Sequence, residues 1–178
     1  MKKTLKIMMF ALLACTMLAC GEKKITEEDL RKTELSLSDN EGNLNQEAVP
    51  AAVQQFCKFV KQNPQAPSAP DWLFKAMQFA MKSGDAEKAV ELTEQLVKDY
   101  PTYRNSPTAL VMLASEVYDG QLHDLDKARA TYERVIRDYP DSEWAKSAEK
   151  LIEYLGLTPE EIMSKIILSN MEVEEGEF

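Results

Sequence analysis

The chain has 178 residues, with 30 acidic side chains against 21 basic ones and a formal net charge of −9. A surface of that sign repels phosphate backbones and anionic head groups, which excludes nucleic acid as a partner and charge-driven docking on a membrane. With 44% hydrophobic residues the chain is long enough for one core that buries roughly two thirds of its unfolded surface.

At the start of the chain, Lys2, Lys3 and Lys6 form a positive leader, residues 7–18 are almost wholly apolar, and Leu18-Ala19-Cys20 ends the run. The run is shorter than the roughly 20 residues that a membrane-spanning helix needs. These residues resemble the lipobox of bacterial lipoproteins, in which the cysteine after a small residue receives lipid and becomes the mature N-terminus. Met17 departs from the usual leucine, and Cys15 after Leu12-Leu13-Ala14 is a competing site. Cys20 is preferred, because cleavage at Cys15 leaves Met17 and Leu18 exposed. An ordinary secretory signal with a chance cysteine is the alternative. Losing residues 1–19 removes three lysines and no acid, so the formal charge moves from −9 to −12. Lipid must then do the anchoring, each buried methylene contributing about 0.8 kcal/mol. Besides the lipidated residue only Cys57 remains, so no internal disulfide is available and packing has to hold the fold.

Residues 20–46 read as a polar tether containing one short helix. Thr26 suits the cap, Glu27, Glu28 and Asp29 suit the positive end of the helix dipole, and Leu30 and Leu37 share a face. The acidic stretch from Ser38 to Asn43 lacks the twelve-residue ligand spacing of a calcium loop and reads as a solvated turn.

From there the chain repeats itself. Ala52, Phe56, Phe59 and Pro64 return as Ala89, Thr93, Leu96 and Pro101, and again as Ala128, Tyr132, Val135 and Pro140. A small residue, larger ones at helical spacing and a closing proline are what stacked helical hairpins require. The spacing predicts a helix from about Pro50 to Lys61, then one carrying Leu73, Ala76, Met77 and Ala80. Ser83-Gly84-Asp85 turns the chain into a helix over Glu87 to Lys98, with Ala89, Leu92, Leu96 and Val97 facing inward. In the next unit Val111, Ala114, Ser115 and Tyr118 lead through an enlarged turn, Asp119 to Asp126, to Ala128, Tyr132 and Val135.

A stack of this kind exposes an apolar face at its end and needs a cap. A helix over 143–155, through Trp144, Ala148, Leu151, Ile152 and Leu155, and a second helix after Gly156 are the candidates. Thr158, Pro159 and Glu161 make a capping box before the stripe Ile162, Met163, Ile166 and Ile167, which has to bury somewhere. Residues 170–178 read as a frayed acidic tail, with a peptide that docks on a partner as the alternative.

Leu73, Ala76, Ala80, Gly84-Asp85, Ala89, Leu96 and Pro101 sit at the positions of the tetratricopeptide repeat, with Met77 and Thr93 as departures. The Asp-Tyr-Pro endings, the lengthened linkers and Pro140-Asp141-Ser142 resemble the repeats of bacterial envelope lipoproteins and periplasmic proteins of the outer-membrane assembly and cell-division coordinator type. The likeness covers roughly residues 48–156. It implies an all-α fold of antiparallel helical hairpins stacked as a short right-handed solenoid with a C-terminal capping helix. The expected division is a signal peptide at 1–19, the lipidated tether at 20–46 and a repeat domain at 47–169. Within that domain the units lie at about 48–66, 70–103 and 108–142, followed by the cap at 143–169 and the tail at 170–178.

No catalytic constellation accompanies these repeats. His123 is the sole histidine and lies in a turn without a nearby nucleophile, Cys57 lies in a helical stripe, and Glu160-Glu161 and Glu174-Glu175 face no cleft. No Gly-rich phosphate loop or metal-ligand cluster is present, so an enzyme, a cofactor and a metal are not expected. In the repeat class the first helix of each hairpin lines the concave face. That implies a partner surface of Phe74, Gln78, Met81 and Lys82 from one unit and Met112, Glu116 and Asp119 from the next. Packing between repeats is the competing role for the apolar ones.

The expected function is a scaffold that binds envelope proteins or peptide segments, anchored in the outer membrane through lipid on Cys20 and facing the periplasm. Gly21 is not the aspartate of an inner-membrane retention signal. The alternative is a small ligand- or glycan-binding lipoprotein that stacks sugar on Trp72, Tyr103 or Trp144.

Overall fold

The computed structural model describes residues 23–39 and 41–175, with side chains described as far as 168. Cys20, its competitor Cys15 and the leader lie outside the described residues. The helices are α1 (Glu27–Ser36), α2 (Val49–Gln62), α3 (Ala69–Lys82), α4 (Ala86–Asp99) and α5 (Ser106–Met112), then α6 (Leu125–Asp138), α7 (Glu143–Tyr154) and α8 (Pro159–Glu175). Between α5 and α6 the helix continues as a π-helical stretch, Leu113–Gln121. Among the described residues the chain is all-α, save for one isolated bridge between Ser38 and Leu44.

Successive helices pack side by side: α2 on α3, α3 on α4, α5 and its π-helical extension on α6, and α6 on α7. The repeated small residues explain the closeness, since Ala52, Ala76, Ala89, Ala114, Ala128 and Ala148 are all buried. Larger residues fill the space between them. Phe56, fully buried, lies 5.3 Å from Trp72 and 6.1 Å from Phe79 between ring centroids. Burial of such a side chain contributes about 1.5–3 kcal/mol. The third unit's first helix is buried on two sides. Ala109, Leu113 and Val117 join the core shared with α1 to α4, while Leu110, Val111 and Ala114 join a second core with Tyr132, Val135 and Ala148. Thr93, at the usual aromatic position, is buried with its hydroxyl donating to the Ala89 carbonyl at 2.8 Å.

The region expected to be a tether is built into the fold. Leu30 and Leu37 are buried in the main core. Thr26 and Asp29 form a reciprocal capping box at the start of α1. Polar contacts hold its outer flanks: Glu34 pairs with Lys75 at 2.6 Å, Thr33 donates to Gln55 at 2.8 Å, and Ser68 donates to Glu27 at 2.7 Å. The helix therefore contributes apolar mass that residues 47–169 alone do not supply.

The enlarged turn predicted at Asp119 to Asp126 takes another form. Three residues, Leu122 to Asp124, make this turn, as Ser83 to Asp85 make the previous one. The extra residue is wound into the π-helical stretch, where it costs no backbone hydrogen bond: the Leu122 N–H donates to the Val117 carbonyl, five residues back. In both turns an aspartate then caps the return helix, Asp85 accepting from the Lys88 N–H and Asp124 from the Lys127 N–H.

At the C-terminus α7 closes the second core, with Ala145 and Ala148 buried and Trp144, Leu151 and Ile152 packed against it. The second half of the expected cap does not do so. The capping box of Thr158 and Glu161 forms, yet Met163 is 59% and Ile167 52% exposed. The helix also runs on to Glu175, through residues expected to fray.

Candidate functional site

The expected partner surface is positioned by α3 and by the α5 helix with its π-helical extension. On α3, Phe74 is half-buried against the main core and meets the edge of Tyr103 at 6.2 Å. Tyr103 sits in the linker that follows α4. Its hydroxyl donates to Asp71 at 2.7 Å and accepts from the Asn105 amide at 3.0 Å. Burial, reinforced by the Asp71 carboxylate, pushes this phenol up to about 12, so it stays protonated and keeps donating at neutral pH. The lengthened linker is thereby pinned to α3 beside Phe74.

The other members differ in availability. Gln78 is half-buried and Lys82 exposed, with its ammonium 5.9 Å from the Phe79 ring centroid. Met81 is 3% exposed and belongs to the main core; its carbonyl accepts from the Gln121 side chain at 3.2 Å. From the next unit, Met112 is half-buried against the same core, Glu116 is exposed and Asp119 half-buried. The fold thus offers Phe74, Gln78, Met112, Glu116 and Asp119 as a partly exposed strip on first helices, and gives Met81 a packing position.

On the face made by the second helices lies a groove that sequence reasoning missed. It has a volume of about 540 Å³, with Val53 and Ala80 among its apolar lining and Gln54, Cys57, Lys88 and Gln95 around them. The repeat shows how this place differs from the next one along. Between α4 and α6, Arg134 donates two hydrogen bonds to Glu94, at 2.6 and 2.9 Å, and clamps the two helices. Counted from Ala52, Ala89 and Ala128, Cys57 and Gln95 occupy the places of Glu94 and Arg134 one unit earlier. Cys57 and Gln95 cannot make that pair, and the groove lies between their helices. Burial pushes the Cys57 thiol upward, which disfavours the reactive thiolate.

The remaining polar candidates are structural. His123 is exposed and takes a positive φ of 52°, the place that Gly84 takes with 79° in the previous turn. Glu161 accepts the Thr158 N–H as part of a helix cap. No three His, Cys, Asp or Glu side chains gather into a metal-holding group among the described residues. Of the aromatic residues considered for stacking sugar, Trp72 is 4% exposed and Tyr103 is engaged with Asp71; Trp144 is half-buried against the second core. No helix among the described residues is long and apolar enough to cross a membrane.

A family model described as YfiO, outer membrane lipoprotein, matches residues 36–158, which is more than half of the chain. No curated protein matches it.

Proposed function

Because the chain belongs to the YfiO family of outer membrane lipoproteins, we propose that it is a lipid-anchored, non-catalytic scaffold which holds partner proteins in the bacterial envelope during outer-membrane assembly or maintenance. Lipid on Cys20 would hold it at the membrane with the repeats facing the periplasm. The observation that supports the reading is that on the first helices Phe74 and Met112 are half-buried against the main core, with Gln78 half-buried, Glu116 exposed and Asp119 half-buried on the same two elements. Such a strip suits an extended or helical protein segment: apolar residues supply area, the thioether of Met112 adapts its shape, and the polar groups fix register.

The test exchanges residues that carry little of the fold. Gln78→Arg with Glu116→Arg should leave the circular dichroism spectrum and melting temperature unchanged. It should lower recovery of cross-linked envelope partners at least tenfold, since reversing the charge at Glu116 and adding one at Gln78 sets like charges against a partner fitted to the native strip, at a cost on the order of several kcal/mol. Unchanged recovery would reject the strip as the binding surface.

A further inference from the structure

The last helix, α8, presents an apolar surface that the fold leaves uncovered. Met163, Ile167 and Leu168 are 59, 52 and 61% exposed, on a helix of 17 residues. No helix among the described residues packs along α8 as α6 packs along α7. Most helical stability in a protein comes from packing of an apolar face, and α8 lacks that support.

The charge on α8 restricts what can cover it. Residues 159–175 include Glu160, Glu161, Glu172, Glu174 and Glu175 against Lys165 alone. That lysine is turned onto the end of α7, its ammonium donating to the Glu153 carbonyl at 3.0 Å and lying 5.5 Å from the Tyr154 ring centroid. Beside it opens a hollow of about 560 Å³ whose lining includes Leu157 and Leu168 with Glu153, Glu160 and Glu161. An anionic membrane surface repels such a helix. A second copy fares no better. Paired antiparallel about Ile167, position 160 lies opposite 174, and paired parallel each glutamate lies opposite itself. Like charges juxtaposed across an interface oppose the pairing.

We propose that α8 is a docking helix whose occupant is a different protein, one carrying an apolar groove rimmed by lysine and arginine. Met163, Ile167 and Leu168 enter the groove, and Glu160 and Glu161 meet its basic rim. The inference deepens the scaffold reading and rests on it, but it uses a surface separate from the strip on α3 and α5.

The test uses the full-length lipidated protein in intact cells, with the photoreactive p-benzoylphenylalanine in place of Ile167 and, in a second strain, of Gln78. Adducts are digested and the linked peptide is identified by mass spectrometry. The expected product from Ile167 joins the chain to a peptide of another protein with an excess of Lys and Arg. Its yield should fall at least fivefold with Glu160→Lys and at least tenfold with Met163→Glu. Both positions lie on the exposed helix, so the repeat domain should melt unchanged. Adducts between two copies of the chain, to lipid alone, to an acidic peptide, or none at all from Ile167 would overturn the proposal. Adducts at Gln78 with none at Ile167 would reject the docking helix and leave the scaffold reading standing, whereas adducts at neither would remove both.

Discussion

At the level of single residues, the two interhelical turns differ in the residue that reverses the chain. Gly84 and His123 both take a positive φ, at 79° and 52°. A side chain in that region costs roughly 1–2 kcal/mol, while glycine there costs about 0.5–1 kcal/mol through the extra freedom of the unfolded chain. The difference predicts that His123→Gly stabilises the protein by about 0.5 kcal/mol, raising the melting temperature by one or two degrees. Calorimetry checks this, with Gly84→Ala as the opposite case. A Cβ at Gly84 would meet nothing within 4 Å, so its penalty is purely one of backbone conformation. Substitution of His123 should leave partner binding intact, as the side chain is exposed in the turn. A destabilised His123→Gly variant would show that the imidazole has a role which the turn geometry does not reveal.

Among elements, the second helices are joined in two ways. The Glu94–Arg134 pair bridges α4 and α6, whereas Cys57 and Gln95 leave a groove between α2 and α4. Rebuilding the pair as Cys57→Glu with Gln95→Arg should couple α2 to α4. Cys57→Glu alone should destabilise by about 1–3 kcal/mol, because it places a carboxylate in a half-buried site where the cation beside it in the groove, Lys88, is already paired with Glu91. Adding Gln95→Arg should recover most of that loss, and the coupling energy should shrink in high salt as expected of a partly exposed ion pair. Denaturant melts of the four proteins in a double-mutant cycle measure it. Additive effects would mean that the groove is held open by backbone placement and not by the missing charges. The π-helical stretch is the other departure from regularity. Its added residue keeps Asp124 in the capping position that Asp85 holds, with the Asp124 N–H reaching back to the Tyr118 carbonyl at 2.7 Å.

For the whole molecule, the proposed lipid attachment and the proposed docking helix lie at opposite ends of the chain. No described helix is long and apolar enough to cross a membrane, and a chain without residues 1–19 would carry a formal charge of −12, three lysines fewer than the full sequence at −9. Under the proposed function, lipid on Cys20 supplies the membrane attachment. Cys20→Ser should move the protein from the outer-membrane fraction to the soluble one while its circular dichroism stays that of a folded helical protein; retention in the membrane would disprove lipid attachment at that residue. Helix periods, the repeated small residues, the closing prolines and the capping boxes at Thr26 and Thr158 were legible in the sequence, because spacing and local hydrogen bonding determine them. Partner contacts between distant segments were not. That α1 buries Leu30 and Leu37, that Met81 turns into the core, and that the extra residue before Asp124 winds into a helix all depend on neighbours far away in the chain. The sequence by itself determined a stack of helical hairpins with an acidic surface. Only the tertiary structure decided which apolar residues the stack covers and which, as on α8, remain uncovered, since burial is a property of the assembled neighbours and periodicity records only the face.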